Sequence, residues 1–159
     1  MLISRRTLLI GSLTLAGTAL IGGPFAQETA PMIAVKKDPW CGCCTGWALH
    51  LEQTGFSVDV EDIEEMDKVK DALSVPADLR SCHTATVDGY VIEGHVPAEA
   101  ITALLKDRPK ITGLVVPGMP LGSPGMEGAD ESSYETYEVL AFDGDRRDVF
   151  MRFIGQTRV

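Results

Sequence analysis

Three of the four cysteines in this 159-residue chain stand within four consecutive residues, Cys41-Gly42-Cys43-Cys44. The run from Thr45 to Gln53, which follows at once, has a helical pattern, so we predict that the cluster lies at a helix N-terminus. There the unpaired backbone N–H groups stabilise a thiolate and lower the pKa of a cysteine. A disulfide between adjacent cysteines is strained. The sequence therefore favours metal capture or thiol exchange over a structural disulfide.

Cys41 and Cys44 form a Cys-x-x-Cys motif between a predicted strand, Met32 to Lys36, and this helix. Thioredoxin-like folds carry their thiol–disulfide exchange motif at such a junction, which makes these two cysteines the candidate catalytic pair. Cys43 has no role in that chemistry, because a third thiol would compete for disulfide formation. Soft thiolates select Cu(I) and can bridge two metal ions, so Cys43 favours a copper site.

The fourth cysteine, Cys82, precedes a strand predicted over His83 to Val87. In a thioredoxin-like fold this turn faces the Cys-x-x-Cys motif and usually holds a cis-proline that keeps metals from the sulfurs. The stretch 79–84 has no proline, so we predict that Cys82 faces Cys41, within reach of a shared metal or of a disulfide. A buried, unreactive cysteine is the alternative. His83 is a further candidate ligand, although alternation along a strand would turn it away from Cys82, in a structural role.

The rest of the chain predicts an α/β fold with a central sheet flanked by helices. Asp88-Gly89 indicates a hairpin turn, and apolar periodicity indicates the other elements. The predicted strands cover 32–36, 56–60, 83–87, 90–93, 134–142 and 148–154, and three helices begin near 45, 66 and 97. This order combines a strand–helix–strand crossover with a hairpin and a helix, followed by a C-terminal loop and strand pair.

A loop rich in proline and glycine, 115–128, carries Met119 and Met126. Loops of this length inside a compact domain are usually functional or disordered. We expect the loop to fold back over the cysteine motif and to supply Met119, with Met126 as a further candidate, to a metal, since a thioether is a soft ligand. The alternative is that both methionines pack on the third helix as apolar side chains.

The N-terminus has the features of an export signal. Ser4-Arg5-Arg6-Thr7-Leu8-Leu9 places paired arginines before an apolar run that ends at Ile21 and is too short to span a bilayer. The order is that of a twin-arginine signal, which predicts a periplasmic protein. Cleavage after Ala26 would leave no stable membrane anchor; retention of the segment as an anchor is the alternative.

The acidic charge of the chain argues against nucleic acid as a partner. Loss of Arg5 and Arg6 with the signal takes the net charge from −9 to −11, whereas nucleic acid requires a basic surface. The predicted organisation is a signal over 1–26, a thioredoxin-like domain over 27–110 and an extension over 111–159 that packs on that domain.

Three segments resemble the CopG-type periplasmic copper-resistance proteins. They are Asp38 to Cys44, Gly94-His95-Val96-Pro97 and Val116 to Glu127, and the likeness runs from about Ile33 to the C-terminus. The resemblance implies a thioredoxin-like domain whose C-terminal extension contributes to metal binding. It also implies several copper ions bridged by cysteine sulfurs, and the interconversion of Cu(I) and Cu(II).

Together, these arguments predict a copper site built from sulfur ligands with a histidine beside them. The predicted metal ligands are Cys41, Cys43, Cys44, Cys82, His83, Met119 and Met126. The resemblance leaves open which of the methionines, His83 and His95 touch metal; a turn hydrogen bond is the alternative role for His95. The expected partners are copper ions and a periplasmic copper efflux or chaperone protein.

Other functions fit the same residues. A metal-free thiol–disulfide oxidoreductase would use only Cys41 and Cys44, and a passive copper chaperone would never change the redox state of its cargo. Zinc also binds four cysteines, but the Cys-x-Cys-Cys spacing crowds a single tetrahedral centre.

Overall fold

The computed structural model describes residues 31–159, so the predicted export signal lies outside the described residues. The strands are β1 (Met32–Lys37), β2 (Ser57–Asp62), β3 (His83–Val87), β4 (Tyr90–Glu93), β5 (Gly113–Val115), β6 (Thr136–Asp143), β7 (Arg146–Ile154) and β8 (Thr157–Arg158). The helices are α1 (Gly42–Gln53), α2 (Met66–Ala72) and α3 (Ala98–Asp107), and short 3-10 turns cover Ala77–Leu79 and Glu131–Ser133.

Over this part of the chain the strands form one sheet in the order β2-β1-β3-β4-β5-β6-β7-β8. Strand β1 pairs with β2 in parallel through the α1 crossover and with β3 in antiparallel. The β3–β4 hairpin turns at Asp88 and Gly89, whose φ angles of 51° and 87° suit the tight turn that this dipeptide predicts. The predicted thioredoxin-like α/β fold is confirmed.

The C-terminal extension continues the same sheet. Strand β5, which periodicity did not predict, pairs in parallel with β4 and in antiparallel with β6. Leu114 and Val115 on β5 are completely buried. The loop predicted from 115 therefore begins at 116, after a short buried strand.

Helices cover both faces of the sheet. Helices α1 and α3 pack on one face, where Trp47, Leu51, Ile101 and Leu104 meet the strands. The opposite face holds a smaller cluster with the segment that follows α2. This second cluster consists of Val75, Leu79, Val91, Val115 and Phe142. Consecutive strand residues such as Val91 and Ile92 fall in different clusters, as alternation along a strand requires.

Two helix starts differ from the predictions by a few residues. Helix α1 begins at Gly42 rather than Thr45, because the Cys41 sulfur caps it by accepting a hydrogen bond from the Cys44 N–H at 3.3 Å. Pro97 is the N-cap of α3 rather than its first residue. The earlier start of α1 places two cysteines in its first turn. No helix within residues 31–159 has the length and apolar character needed to cross a membrane.

Candidate metal centre

A tight turn delivers the cysteine motif to α1. The Asp38 carboxylate accepts the Trp40 N–H at 2.8 Å, and the Asp38 carbonyl accepts the Cys41 N–H at 3.0 Å. The buried Lys37 ammonium donates to the same carbonyl at 3.2 Å and pairs with Asp62 at 2.7 Å. These contacts fix Cys41 at the N-terminus of the helix.

The four cysteine sulfurs come together. Cys41 and Cys44 are joined by a disulfide with a Cα–Cα distance of 5.4 Å, while Cys43 and Cys82 are free thiols. The Cys43 sulfur lies 3.5 Å from the Cys41 sulfur and 3.9 Å from the Cys82 sulfur. All four sulfurs lie within 4.8 Å of one another. Cys82 is therefore within reach of a metal shared with Cys41, as expected.

The turn before β3 holds Cys82 in place. The Ser81 hydroxyl donates to the Gly118 carbonyl at 3.0 Å, and the Ser81 N–H donates to the Glu93 carboxylate at 2.5 Å. Between residues 31 and 159 every peptide bond is trans, so no cis-proline closes this side of the site. Burial, followed by the neighbouring Cys43, raises the pKa of the Cys82 thiol to about 11.

His83 lies beside Cys82, contrary to the alternation argument. Its Nδ1 is 3.5 Å from the Cys82 sulfur. Alternation does not apply because Cys82 precedes the first residue of β3. The ring is completely buried between Trp47 and His95, with ring centroids 4.3 Å and 5.1 Å away. His83 thus lies on the α1 face of the sheet, beside the cysteines.

Burial, with smaller effects from His95 and Lys70, holds the pKa of His83 well below its usual value. The imidazole is therefore neutral at neutral pH, which is the form that binds metal. Its Nε2 is a buried atom that has no hydrogen-bond partner among the residues described here. His83 therefore offers two ring nitrogens to the site: Nδ1 beside the Cys82 sulfur, and a buried Nε2 without a partner in the described chain.

Sequence reasoning omitted His95 from the predicted ligands, but the structure brings it to the site. Its Nδ1 lies 2.7 Å from the Pro124 carbonyl, which can only accept, so Nδ1 carries the proton. The unprotonated Nε2 then faces the Cys82 sulfur at 3.2 Å. Burial lowers the pKa of His95, so this imidazole is also neutral at neutral pH. The tautomer leaves a nitrogen lone pair facing the sulfurs, as ligating histidines require.

No pattern in the sequence identifies His95. The paired residues of the hairpin end at Thr84 and Glu93, and Gly94, with a φ of 71°, follows β4, so His95 reaches Cys82 through a turn outside the strands. The third histidine of the chain, His50, is half-buried, and its Nε2 accepts the Ala98 N–H at 3.4 Å at the start of α3. His50 therefore serves α3 rather than the metal centre.

The loop folds back onto the cysteine motif through its backbone. A Cβ at Gly125 would stand 2.4 Å from the Cys43 carbonyl oxygen and 2.7 Å from the Trp47 nitrogen. Met119 is 54 % exposed and lines an open groove with Pro117, Pro120, Glu135, Thr136 and Tyr137. Met126 is half-buried. The expected fold-back of the loop is thus made by Pro124 and Gly125.

The donor atoms fall into two groups that share Cys82. One group consists of the four cysteine sulfurs, and the other of Cys82, His83 and His95, with the donor atoms of each group within 4.8 Å of one another. Thiolates are soft ligands, and imidazole suits copper and zinc as well as iron and nickel. Fold and site together define a thioredoxin-like protein with a cysteine cluster able to hold metal ions.

Two solved structures of copper resistance protein CopG are similar to this chain. Form 1 is 42 % identical, with a TM-score of 0.72, and the match covers 78 % of this chain and 98 % of that one. Form 2 is 41 % identical, with a TM-score of 0.73 and the same coverage. This chain belongs to the CopG family of copper resistance proteins.

A second comparison matches a family described as "Protein of unknown function, DUF411" over residues 79–126. That segment runs from the turn that carries Cys82 to Met126 and omits the Cys-x-Cys-Cys motif. No curated protein matches the sequence.

Proposed function

We propose that this protein binds copper through Cys41, Cys43, Cys44 and Cys82 and acts in copper resistance. The observation that carries the proposal is the approach of all four sulfurs to within 4.8 Å in a chain 42 % identical to copper resistance protein CopG. Bound copper supplies a one-electron couple between Cu(I) and Cu(II). We propose that the protein interconverts these two states and holds more than one ion.

The ligand set supports both oxidation states. Thiolates favour Cu(I), whereas neutral imidazole also suits Cu(II). Cys82 belongs to the sulfur group and to the group with His83 and His95, which supports the proposal that its thiolate is the common ligand. Met119 and Met126 are proposed as further ligands from the loop.

The disulfide controls how many sulfurs the chain offers. Reduction of the Cys41–Cys44 bond takes up two electrons and two protons and yields two thiols, which can then lose protons to become ligands. The oxidised chain offers only the Cys43 and Cys82 thiols. Copper binding by all four sulfurs therefore requires the reduced protein.

We propose a periplasmic location, reached by the twin-arginine route through the signal over 1–26. The domain over 27–110 would supply the cysteines, and the extension over 111–159 would contribute to metal binding. The proposed protein partner is a periplasmic copper efflux or chaperone protein.

Metal analysis of protein purified anaerobically with a reductant tests the proposal. We expect at least one copper ion per chain, lost in Cys82→Ser and retained in Thr45→Ser, an exposed position on α1. Protein with zinc in place of copper, or with no metal, would contradict the proposal. Absorbance during reduction and reoxidation of the copper-bound protein then distinguishes redox cycling from passive chaperoning, in which the spectrum does not change reversibly.

The Cys41–Cys44 disulfide favours a second candidate function, thiol–disulfide exchange. Cys-x-x-Cys pairs at a helix N-terminus exchange disulfides through an attacking thiolate. Reduction of a protein disulfide by the metal-free chain, followed as turnover, tests this candidate. Turnover abolished by Cys41→Ser but unaffected by Cys43→Ser would support exchange without metal.

A further inference from the structure

A buried ion pair lies on the α2 face of the sheet, opposite α1. The Lys70 ammonium is 2.6 Å from the Glu93 carboxylate, and the two side chains are only 4 % and 0 % exposed. The buried Thr84 hydroxyl accepts from Lys70 at 2.8 Å and donates to the other carboxylate oxygen of Glu93 at 2.6 Å. Both charges are therefore paired and hydrogen-bonded.

Glu93 also contacts the segments that approach the metal centre. Its carboxylate oxygen Oε1 accepts the Ser81 N–H at 2.5 Å, one residue before Cys82. Its backbone carbonyl accepts the Val116 N–H at 3.0 Å, at the start of the loop. One residue of β4 thus holds both the turn that carries Cys82 and the loop that packs on the cysteine motif.

Stability alone gives little reason for a buried ion pair, because well-packed apolar residues of similar volume are often as stable or more so. A role in positioning explains the pair better. The turn before β3 has trans peptide bonds throughout, and the carboxylate of Glu93 restrains it by a hydrogen bond to the main chain.

We propose that Glu93, held by Lys70, is a positioning residue for the metal centre. It acts through Ser81 from the far side of the sheet and keeps the Cys82 sulfur directed at the other three sulfurs and at His95. The proposal rests on the proposed copper binding for its functional meaning, but its geometric content concerns the metal-free chain.

Two double variants isolate the hydrogen bond to Ser81. Lys70→Met with Glu93→Gln removes both charges and keeps an amide oxygen that can accept the Ser81 N–H. Lys70→Met with Glu93→Leu removes the charges and the acceptor together at similar volume. We expect the Gln variant to keep the copper affinity and absorbance spectrum of the parent. We expect the Leu variant to bind copper about tenfold more weakly, with an altered spectrum. A Leu variant with the parent's affinity and spectrum would overturn the proposal.

A readout without metal separates this proposal from the proposed function. In the disulfide form, Cys43 and Cys82 are the free thiols, so iodoacetamide labelling and peptide mapping report on each. We expect Cys82 of the Leu variant to react severalfold faster than Cys82 of the Gln variant, with Cys43 as the internal reference. Equal rates would refute the positioning role, whatever the parent binds.

If the Leu variant does not fold, hydrogen exchange in the unaltered protein still tests the hydrogen bond between Ser81 and Glu93. We expect the Ser81 amide to be protected as strongly as the paired amides of β4, because it donates to a buried carboxylate. Exchange of that amide as fast as in an exposed loop would also overturn the proposal.

Discussion

Gly125 lies against Gly46 of α1, so closely that a Cβ on Gly46 would stand 3.0 Å from the Gly125 Cα. Two residues without side chains let the loop backbone reach the helix turn that holds the cysteines. Gly125 also has a φ of +85°, which disfavours any other residue. The contact therefore depends on glycine for both space and backbone conformation.

Gly125→Ala is expected to destabilise the fold by about 2 kcal/mol or more, because the added Cβ causes backbone strain and also clashes with the Cys43 carbonyl oxygen. Thermal unfolding and copper titration would measure the two effects. Gly118→Ala is a control for strain alone, since its φ is +75° but nothing lies within 4 Å of the added Cβ. Gly128→Ala is the control that has neither the backbone strain nor the close contact, because its Cβ would meet Leu121 at an ordinary 3.5 Å. Equal losses in all three variants would contradict the close-contact explanation.

Cys43→Ser is expected to abolish tight copper binding and to leave the fold intact. The serine hydroxyl is a hard, weakly acidic group that does not replace a bridging thiolate. Copper content after anaerobic purification and far-UV circular dichroism are the measurements. A variant that retained the full copper content would remove Cys43 from the ligand set and strengthen the thiol-exchange candidate.

Met119→Leu tests whether the loop supplies a thioether. The substitution keeps volume at a half-exposed site, so we expect a stability change below about 1.5 kcal/mol. If Met119 is a ligand, copper affinity falls and the absorbance spectrum shifts. Met151→Leu on β7 is the matched control. Affinity and spectrum equal to those of the parent would withdraw Met119 as a ligand and favour its role as an apolar loop residue.

Cys82 in the disulfide form should react with iodoacetamide only as its thiol ionises. Since burial and Cys43 raise its pKa to about 11, the neutral thiol predominates at pH 7, and the rate should rise with pH and reach half its maximum near that value. Mass spectrometry of the Cys82 peptide across a pH series gives the profile. A rate that is already half its maximum near pH 9 would show an ordinary thiol.

The main elements of the fold could be predicted because their local signals agree with their tertiary roles. The hairpin at Asp88-Gly89 and the strands on either side have matching turn and alternation patterns. Strand β5 could not be predicted. It has three residues, too few to show a period, and its Gly113 approaches the Val91 carbonyl so closely that no Cβ would fit.

The site was predictable wherever its residues carry unusual chemistry in sequence. Clustered thiols identified the motif, and a cysteine at the start of a strand identified Cys82. His95 reaches the site through the turn after β4, and Glu93 through the packing of α2; neither relationship has a pattern in the sequence. Lys70 has the appearance of a solvent-exposed charge on a short helix, and its burial depends on a carboxylate 23 residues away.

The loop that reaches the cysteines has both of its ends in paired strands. Strand β5 precedes it and strand β6 follows it, and these two strands pair directly at Val115 and Leu140. The loop is therefore anchored in the sheet at both ends, unlike a flap that is attached at one end only. A protease cut inside the loop would leave both halves of the chain anchored in one sheet, so we expect the cleaved protein to stay assembled. The cut would release the contacts of Pro124 and Gly125 with the metal centre.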